Sequence, residues 1–228
     1  MSERQNILAR IREALQMTAP RPGAHGDAPL LADGVRPVER AQRWLPKGGD
    51  AFEDQVEHFR KASAELKTDF HLANSEDEAR RLLARIRQAE QWKRVATHAG
   101  KLTDAFCPSL NLPLLRTDQP YDVNELEKCD AGIGECDALV AQTGSIVVNS
   151  RTSGGRALSC LPPHHMVLAR RDQLVRDLSA AFALVKQKFA DNAPSMISVI
   201  TGPSRTGDIE RILVLGAHGP KKLTVICF

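Results

Sequence analysis

The fold class is read most directly from one stretch of the chain, Met196-Ile-Ser-Val-Ile-Thr-Gly-Pro-Ser-Arg-Thr-Gly-Asp-Ile209. Its apolar beginning, residues 196–200, predicts a strand, and the small and polar residues that follow are typical of a loop. Asp208 then predicts the start of a short helix. A strand that leads through a short loop into a helix is the building unit of a sheet covered by helices.

The same alternation continues on both sides of this stretch. Residues 50–70 carry apolar side chains at helical spacing with Asp50 as a candidate N-cap, and Ser75 with Glu78 forms a capping box before a second helix. Residues 171–188 predict a third helix. Apolar runs predict strands at residues 94–97, 138–141, 146–148, 165–169 and 223–227. We therefore expect an α/β fold with a mostly parallel sheet and helices on both faces.

The N-terminal region has a different character. Residues 6–16 place Ile7, Leu8 and Ile11 on one helical stripe, whereas residues 18–33 are rich in proline, glycine and alanine. We expect residues 1–33 to form an amphipathic helix and a flexible linker. Residues 34–228 are expected to form the α/β domain.

Composition limits the classes of partner and compartment. The 31 Lys and Arg residues exceed the 28 Asp and Glu residues, a net charge of +3, but form no basic block, which argues against nucleic acid as a partner. No apolar run approaches the length of a membrane span. The five cysteines are an odd number without a Cys-x-x-Cys pair. This pattern indicates reduced thiols in a cytoplasmic protein rather than disulfides, a metal site or an iron–sulfur cluster.

The loop inside the opening stretch is the first candidate site. Ligands of open α/β sheets bind in loops at the carboxyl ends of strands, where a helix start offers free N–H groups and a positive dipole end. Arg205 adds a planar cation suited to a carboxylate or phosphate. The alternative is a plain helix cap, in which Thr206 or Asp208 binds the first N–H groups and Arg205 is solvated. The residues of the predicted anion cradle are Gly202, Pro203, Ser204, Arg205, Thr206 and Asp208.

Two further loops are candidates. In Gly216-Ala-His-Gly-Pro220, Gly216 and Gly219 allow a tight turn that presents His218 as a general base or an anion donor, or else His218 is an ordinary turn residue. The third candidate loop, residues 142–145, joins two predicted strands. Its amide and hydroxyls suit a polar ligand, although a plain turn has the same composition. It consists of Gln142, Thr143, Gly144 and Ser145.

Three other patterns are set aside. Gly132-Ile-Gly134 begins like a dinucleotide fingerprint, but it lacks the third glycine and a clean preceding strand. Neighbours on a strand point to opposite faces, so His164 and His165 are not expected to share a metal, and one of them is expected to be buried and hydrogen-bonded. Cys129 and Cys136 fit no standard metal-finger spacing and are predicted to be structural.

Four segments occur in an order that resembles a known family. They are Asp137-Ala-Leu-Val-Ala-Gln-Thr-Gly-Ser145, Arg156-Ala-Leu-Ser-Cys-Leu-Pro-Pro-His-His165, Thr201-Gly-Pro-Ser-Arg-Thr-Gly-Asp-Ile-Glu210 and Gly216-Ala-His-Gly-Pro220. From about residue 131 to the end, the chain resembles the LUD domain of the lactate-utilisation protein C (LutC) family. The resemblance implies the fold of ribose-5-phosphate isomerase, glucosamine-phosphate isomerase and CoA-transferases (NagB/RpiA/CoA-transferase-like). It also implies two iron–sulfur partner proteins, which together with this chain oxidise L-lactate to pyruvate.

The resemblance leads to a functional prediction. We expect a subunit of a lactate-oxidising system in which Arg205 pairs the carboxylate of lactate or pyruvate and His218 transfers a proton. Iron–sulfur clusters are expected on the partner proteins, and no cofactor is expected in this chain. Many relatives carry Glu where this chain has Gln142, and because an amide cannot titrate, no general base is assigned there.

Other functions stay open from the sequence. One is catalysis by this chain itself as part of an L-lactate dehydrogenase complex. Another is a stand-alone enzyme on a phosphorylated sugar or a CoA ester, for which fold alone is no support. A third is a non-catalytic assembly subunit that docks through residues 6–16.

Overall fold

The chain divides into two units, Met1–Leu45 and Pro46–Phe228, in this computed structural model. The structure describes residues 3–16, 48–190, 192–206, 214–216 and 218–228. The described part of the first unit is helix α1, Glu3–Gln16, which confirms the helix predicted near the N-terminus. The predicted linker at residues 18–33 and the helix start at Asp208 lie outside the described residues.

A six-stranded parallel sheet is the centre of the second unit. Its strands are β1 (Thr68–Leu72), β2 (Val95–Thr97), β3 (Leu114–Arg116), β4 (Ala131–Glu135), β7 (His164–Ala169) and β12 (Lys222–Cys227). They lie in the order β1-β12-β7-β4-β2-β3, and every neighbouring pair is parallel. Because all six strands run in one direction, the sheet has one edge of strand starts, the amino edge, and one edge of strand ends, the carboxyl edge.

A second sheet packs on one face of the first. Its strands are β5 (Ala138–Val140), β6 (Ser145–Asn149), β8 (Leu174–Val175) and β9 (Ile197–Ile200), in the order β8-β5-β6-β9. β5 and β8 are parallel, whereas β6 runs antiparallel to β5 and β9. A short antiparallel pair is formed by β10 (Arg205–Thr206) and β11 (Val214–Leu215). Every stretch that the sequence predicted as a strand contains one.

Helices cover both faces of the parallel sheet, which confirms the α/β prediction. They are α2 (Phe52–Glu65), α3 (Glu76–Ala89), α4 (Lys101–Phe106), α5 (Val123–Glu127) and α6 (Leu178–Phe189). On one face, Leu83 of α3 and Phe106 of α4 pack in a buried cluster with Ile133 and Met166. On the other face, Phe59 of α2 packs with residues of both sheets. Helix α6 covers the outer face of the four-stranded sheet.

The helix predicted over residues 50–70 is shorter than expected. It begins after Ala51 rather than Asp50 and ends at Glu65, because Lys67 adopts a left-handed conformation with φ of 65°. Phe70 lies on β1 and packs edge-on against Phe59, with ring centroids 4.8 Å apart. The apolar stripe therefore continues across the turn from helix to strand, which is why the sequence pattern predicted a helix as far as residue 70.

The helix predicted over residues 171–188 was also wrong in its first part. Residues Arg171–Gln173 form a 3-10 turn, and Leu174 pairs with Leu139 in the four-stranded sheet. The helix starts only after Asp177, whose side chain accepts a hydrogen bond from Ala180 N at 2.9 Å. The predicted cap at Ser75 is confirmed, since its hydroxyl accepts from Glu78 N at 3.2 Å.

The glycines of the rejected nucleotide fingerprint lie inside β4. A Cβ on Gly132 would lie 2.5 Å from the carbonyl oxygen of Leu158, whereas the nearest atom to a Cβ on Gly134 is 3.6 Å away. Leu158 belongs to the segment 150–163, which we call the crossing loop. Gly132 is therefore explained by the close approach of the crossing loop to the sheet.

Candidate functional site at the amino edge of the sheet

The loop of residues 201–206 lies at the amino edge of the parallel sheet. Ser204 N donates to the carbonyl of Pro220 at 2.9 Å, shortly before β12 begins. Arg205 Nη2 donates to the carbonyl of Leu66 at 2.5 Å, shortly before β1 begins. The loop thus bridges the starts of two neighbouring strands.

This position differs from the one expected from the sequence. The loop was predicted beside the carboxyl ends of parallel strands, but β9, which precedes it, belongs to the four-stranded sheet and runs antiparallel to β6. The expectation was wrong because apolar periodicity predicts a strand without showing its neighbours. The loop therefore approaches the parallel sheet from its opposite edge.

Ser204 brings two of the candidate loops together. Its carbonyl accepts from Gly216 N at 3.0 Å, and its hydroxyl accepts from His218 N at 3.3 Å. A Cβ on Gly219 would lie 3.2 Å from the Ser204 Cβ, so the turn approaches the serine closely. His218 is exposed at the tip of the turn. Arg205, the next residue in the chain, and the backbone of His218 thus both lie beside Ser204.

The third candidate loop, residues 142–145, meets the same loop at its first residue. The Ser145 hydroxyl lies 2.8 Å from the Thr143 hydroxyl and 2.8 Å from the Thr201 hydroxyl. Gly144 has φ of 63°, and a Cβ there would lie 2.8 Å from Ser63 N. The turn is therefore packed on the last part of α2, and the structure brings all three candidate loops to one edge. Gln142 N donates to the carbonyl of Arg176 at 3.0 Å.

Arg205 is not simply a solvated cation. Its guanidinium binds the carbonyl of Leu66, the C-cap of α2, where a cation also stabilises the negative end of the helix dipole. Gly202 has φ of 92°, and a Cβ on it would lie 3.0 Å from the same carbonyl oxygen. Pro203 is buried, while Arg205 remains exposed. The loop is thus anchored on α2 with its cation at the surface.

The adjacent histidines of β7 are both buried. His164 Nε2 lies 2.8 Å from the Thr224 hydroxyl, and Trp92 packs edge-on against its ring. This confirms the expectation of one buried, hydrogen-bonded histidine. Burial lowers the pKa of His164 and that of His165 to about 4, so both imidazoles are neutral at neutral pH.

The carboxyl edge carries a charged cluster that the sequence did not reveal. Glu135 Oε1 accepts from Leu102 N at 2.8 Å and from Thr103 N at 3.1 Å, which caps α4. Arg116 binds Asp104 at 2.8 Å and Asp118 at 3.0 Å, and this guanidinium holds the pKa of Asp118 below its usual range. These groups come from distant parts of the chain, so no local motif predicts the cluster.

The cysteines add no candidate site in the part of the chain that the structure describes. Cys160 is exposed, and the other four thiols are free and buried. Burial raises the pKa of Cys107 and that of Cys227 to about 11, so these thiols are poor nucleophiles. Among the described residues, no group of three or more His, Cys, Asp or Glu side chains is placed to hold a metal ion. Nor is any described helix long and apolar enough to cross a membrane.

The parallel sheet, covered by helices and a second sheet, defines this protein as a layered α/β domain with three polar loops gathered at its amino edge. A family model described as LUD domain matches residues 56–228. The chain therefore belongs to the LUD domain family, as the resemblance of its motifs indicated.

Individual relatives agree with this assignment. The "Lactate utilization protein C" of Deinococcus radiodurans is 33% identical over 119 residues, which cover 52% of this chain and 55% of the relative. The protein of that name from Bacillus subtilis is 33% identical over 107 residues, covering 46% and 45%. The chain thus spans about half the length of these relatives. An uncharacterized protein of Neisseria meningitidis serogroup B is 25% identical across 99% of this chain and 93% of its own length.

A solved structure supports the fold alone. The crystal structure of a DUF162 family protein from Deinococcus radiodurans superposes with a TM-score of 0.60 at 22% identity. The superposition covers 78% of this chain and 99% of that one.

Proposed function

We propose that this chain is a cytoplasmic subunit of a lactate-utilisation system and binds a small carboxylate, lactate or pyruvate, at the amino edge of its parallel sheet. The names of its relatives support the process, and the free cysteines support a reducing compartment. The observation that carries the site is Ser204, which joins the loop of Arg205 to the loop of His218. A guanidinium forms strong, charge-assisted hydrogen bonds with a carboxylate.

The roles of the two exposed side chains follow from their chemistry. Arg205 binds the carboxylate through N–H groups other than the one that donates to Leu66. His218 exchanges a proton with the hydroxyl or keto oxygen of the bound acid, since an imidazole carries one nitrogen that can donate a proton and one that can accept it. Oxidation of lactate to pyruvate releases two electrons and two protons. In this proposal the electrons leave to iron–sulfur partner proteins, and this chain supplies binding and proton transfer.

Growth on lactate tests the process. A strain that lacks this gene is complemented with the wild-type chain, with Arg205→Gln or with His218→Ala. Glutamine keeps a polar amide but lacks the charge and the full length of arginine, so an unfolding temperature of Arg205→Gln equal to that of the wild type is needed to separate the loss of the cation from the loss of the helix cap. The exposed residues Arg81 and His58 provide matched controls, Arg81→Ala and His58→Ala. We expect growth only with the wild type and the controls, and full growth with both site variants would overturn the site.

Binding by the purified chain tests the ligand. Titration calorimetry with L-lactate and pyruvate is expected to show binding that Arg205→Gln weakens by roughly 10- to 100-fold, the effect of one lost charge-assisted hydrogen bond. Equal affinity of the wild type and Arg205→Gln would exclude Arg205 as the carboxylate partner.

A further inference from the structure

Five buried side-chain polar atoms have no hydrogen-bond partner within the described ranges, and two of them are Arg87 Nε and His164 Nδ1. The other three are Ser63 Oγ, Thr68 Oγ1 and His165 Nδ1, on residues that are 0%, 5% and 2% exposed. An unsatisfied buried polar group costs about 1–3 kcal/mol. Three such groups in one region therefore indicate a place that is built for a polar occupant.

Two of the three lie in one row across the parallel sheet. Thr68 of β1 is paired with Leu223 of β12, and Leu223 is paired with His165 of β7. Paired residues of neighbouring parallel strands point to the same face. Thr68 and His165 therefore flank Leu223 on one face, with Cα atoms about 10 Å apart across two strand spacings.

Ser63 joins this row from α2. A tight turn follows α2, so that β1 runs back beneath the helix and Phe70 packs on Phe59. One helical turn beyond Phe59 is Ser63, and two strand residues before Phe70 is Thr68. The first step is about 6 Å along the helix and the second about 7 Å along the strand, and both lead toward the turn that joins α2 to β1. Ser63 therefore lies over Thr68.

The three candidate loops lie directly outside this row. Leu66, which Arg205 binds, comes two residues before Thr68. Lys221 N donates to the carbonyl of Pro163 at 2.8 Å. Lys221 comes two positions before Leu223, and Pro163 comes two positions before His165. Gly144 is packed on the backbone of Ser63. The row is thus the inner wall of the edge at which the loops meet.

The chemistry of the row is uncharged. It consists of two hydroxyls and an imidazole that burial keeps neutral by lowering its pKa to about 4. Such groups form hydrogen bonds with a hydroxyl or a carbonyl oxygen. They supply no cation for a phosphate, and the apolar Leu223 between them suits a methyl group.

We propose that the row of Ser63, Thr68 and His165 supplies the hydrogen-bond partners for the uncharged 2-oxygen of a 2-hydroxy or 2-oxo acid whose carboxylate is held by Arg205. This inference rests on the proposed function and deepens it, because it assigns the residues that distinguish lactate from a simple carboxylate. A site that binds an oxygen through buried polar groups discriminates against a ligand that lacks this oxygen.

Titration of the purified full-length chain with L-lactate, pyruvate and propionate tests this inference. Propionate has the carboxylate and the three carbons of lactate but no oxygen on its second carbon. We expect lactate and pyruvate to bind at least tenfold more tightly than propionate, about the effect of one hydrogen bond to a buried partner. Thr68→Val and Ser63→Ala should each reduce this preference several-fold without changing the affinity for propionate.

A pair of variants at His165 separates hydrogen bonding from packing. The amide nitrogen of His165→Asn lies near the place of Nδ1 and should preserve part of the preference, whereas His165→Leu should abolish it. Far-UV circular dichroism checks that each variant is folded. If His165→Leu does not fold, Thr68→Val and Ser63→Ala test the assignment in its place.

The outcomes separate the two proposals. If lactate and propionate bind equally tightly and both depend on Arg205, the carboxylate site stands and the assignment of the row is overturned. An unchanged preference in all row variants means that the row holds ordered water only, which also overturns the assignment. If none of the three acids binds, both proposals fail.

Discussion

Both edges of the parallel sheet carry polar side chains, but the hydrogen bonding of these side chains differs. At the carboxyl edge, Glu135 caps α4 and Arg116 is bound by two aspartates. At the amino edge, Thr68 and His165 present buried polar atoms that lack partners among the described residues. Ligands of α/β sheets usually bind at the carboxyl edge. The unsatisfied polar groups are therefore the reason why we place the proposed binding site at the amino edge.

The crossing loop connects the two edges, and breaking it has the largest expected effect. Gly154 of this loop accepts a hydrogen bond from Thr117 beside the carboxyl edge, and Pro163 ends the loop at the amino edge. Gly132→Ala would place a Cβ 2.5 Å from the carbonyl oxygen of Leu158. We expect a loss of about 3 kcal/mol or more in the free energy of unfolding, measured by urea denaturation.

Gly134→Ala is the matched control for this change. It adds the same methyl group to the same strand, but the nearest atom is 3.6 Å away, an ordinary contact. Its stability should stay within about 1 kcal/mol of the wild type. Equal losses from the two substitutions would show that the crossing loop does not press on β4 as described.

Acid should lower the stability of the fold by protonating the two histidines at the start of β7, at the amino edge. The folded-state pKa values of His164 and His165 are lowered to about 4, below the ordinary 6.5. The unfolded chain therefore binds more protons between these values, and stability falls as the pH drops from 6.5 to 4. The loss is at most about 3 kcal/mol for each histidine.

Urea denaturation at a series of pH values measures this dependence. Because carboxylates also titrate at low pH, the informative quantity is the difference between variants. His165→Asn should flatten the pH dependence, and His58→Ala, at an exposed position, should leave it unchanged. An unaltered slope in His165→Asn would contradict the burial of a neutral imidazole at this position.

The same substitution, Thr to Val, can be made at each edge, and its expected effect on the free energy of unfolding is smaller. The Thr103 hydroxyl, beside the carboxyl edge, donates to the carbonyl of His98 at 2.9 Å, whereas the Thr68 hydroxyl is buried without a partner in the described structure. Thr103→Val should lower the free energy of unfolding of the unliganded chain by about 1–2 kcal/mol. Thr68→Val should leave it unchanged or raise it slightly, because it removes an unsatisfied group. A larger loss from Thr68→Val than from Thr103→Val would refute the difference between the edges.

The sequence predicts much of this fold because its signals are local. The stripe of α3 and its cap at Ser75 are complete within one segment, and so are the apolar runs of β5 and β12. Strand β8 has two residues and shows no period, and β1 was hidden by an apolar stripe that runs on from α2. Pattern alone therefore fails where an element is very short or where two elements share one stripe.

The candidate site was predictable only in part, for a similar reason. The loops containing Arg205 and His218 stand out by composition, and Ser204 joins them. Their edge could not be predicted, because it depends on the pairing of β9 with β6, which is not a local property. The buried row comes from three separate elements, and neither Ser63 nor Thr68 has an unusual sequence environment.

Ligand-induced stabilisation compares the two edges most directly. The unfolding temperature of the purified chain is measured with and without saturating L-lactate for the wild type, for Arg205→Gln and for Glu135→Gln. A ligand that binds only the folded state raises this temperature. We expect lactate to stabilise the wild type and Glu135→Gln by the same amount and Arg205→Gln by much less. Stabilisation that persists in Arg205→Gln and disappears in Glu135→Gln would place the ligand at the carboxyl edge and contradict the amino-edge site.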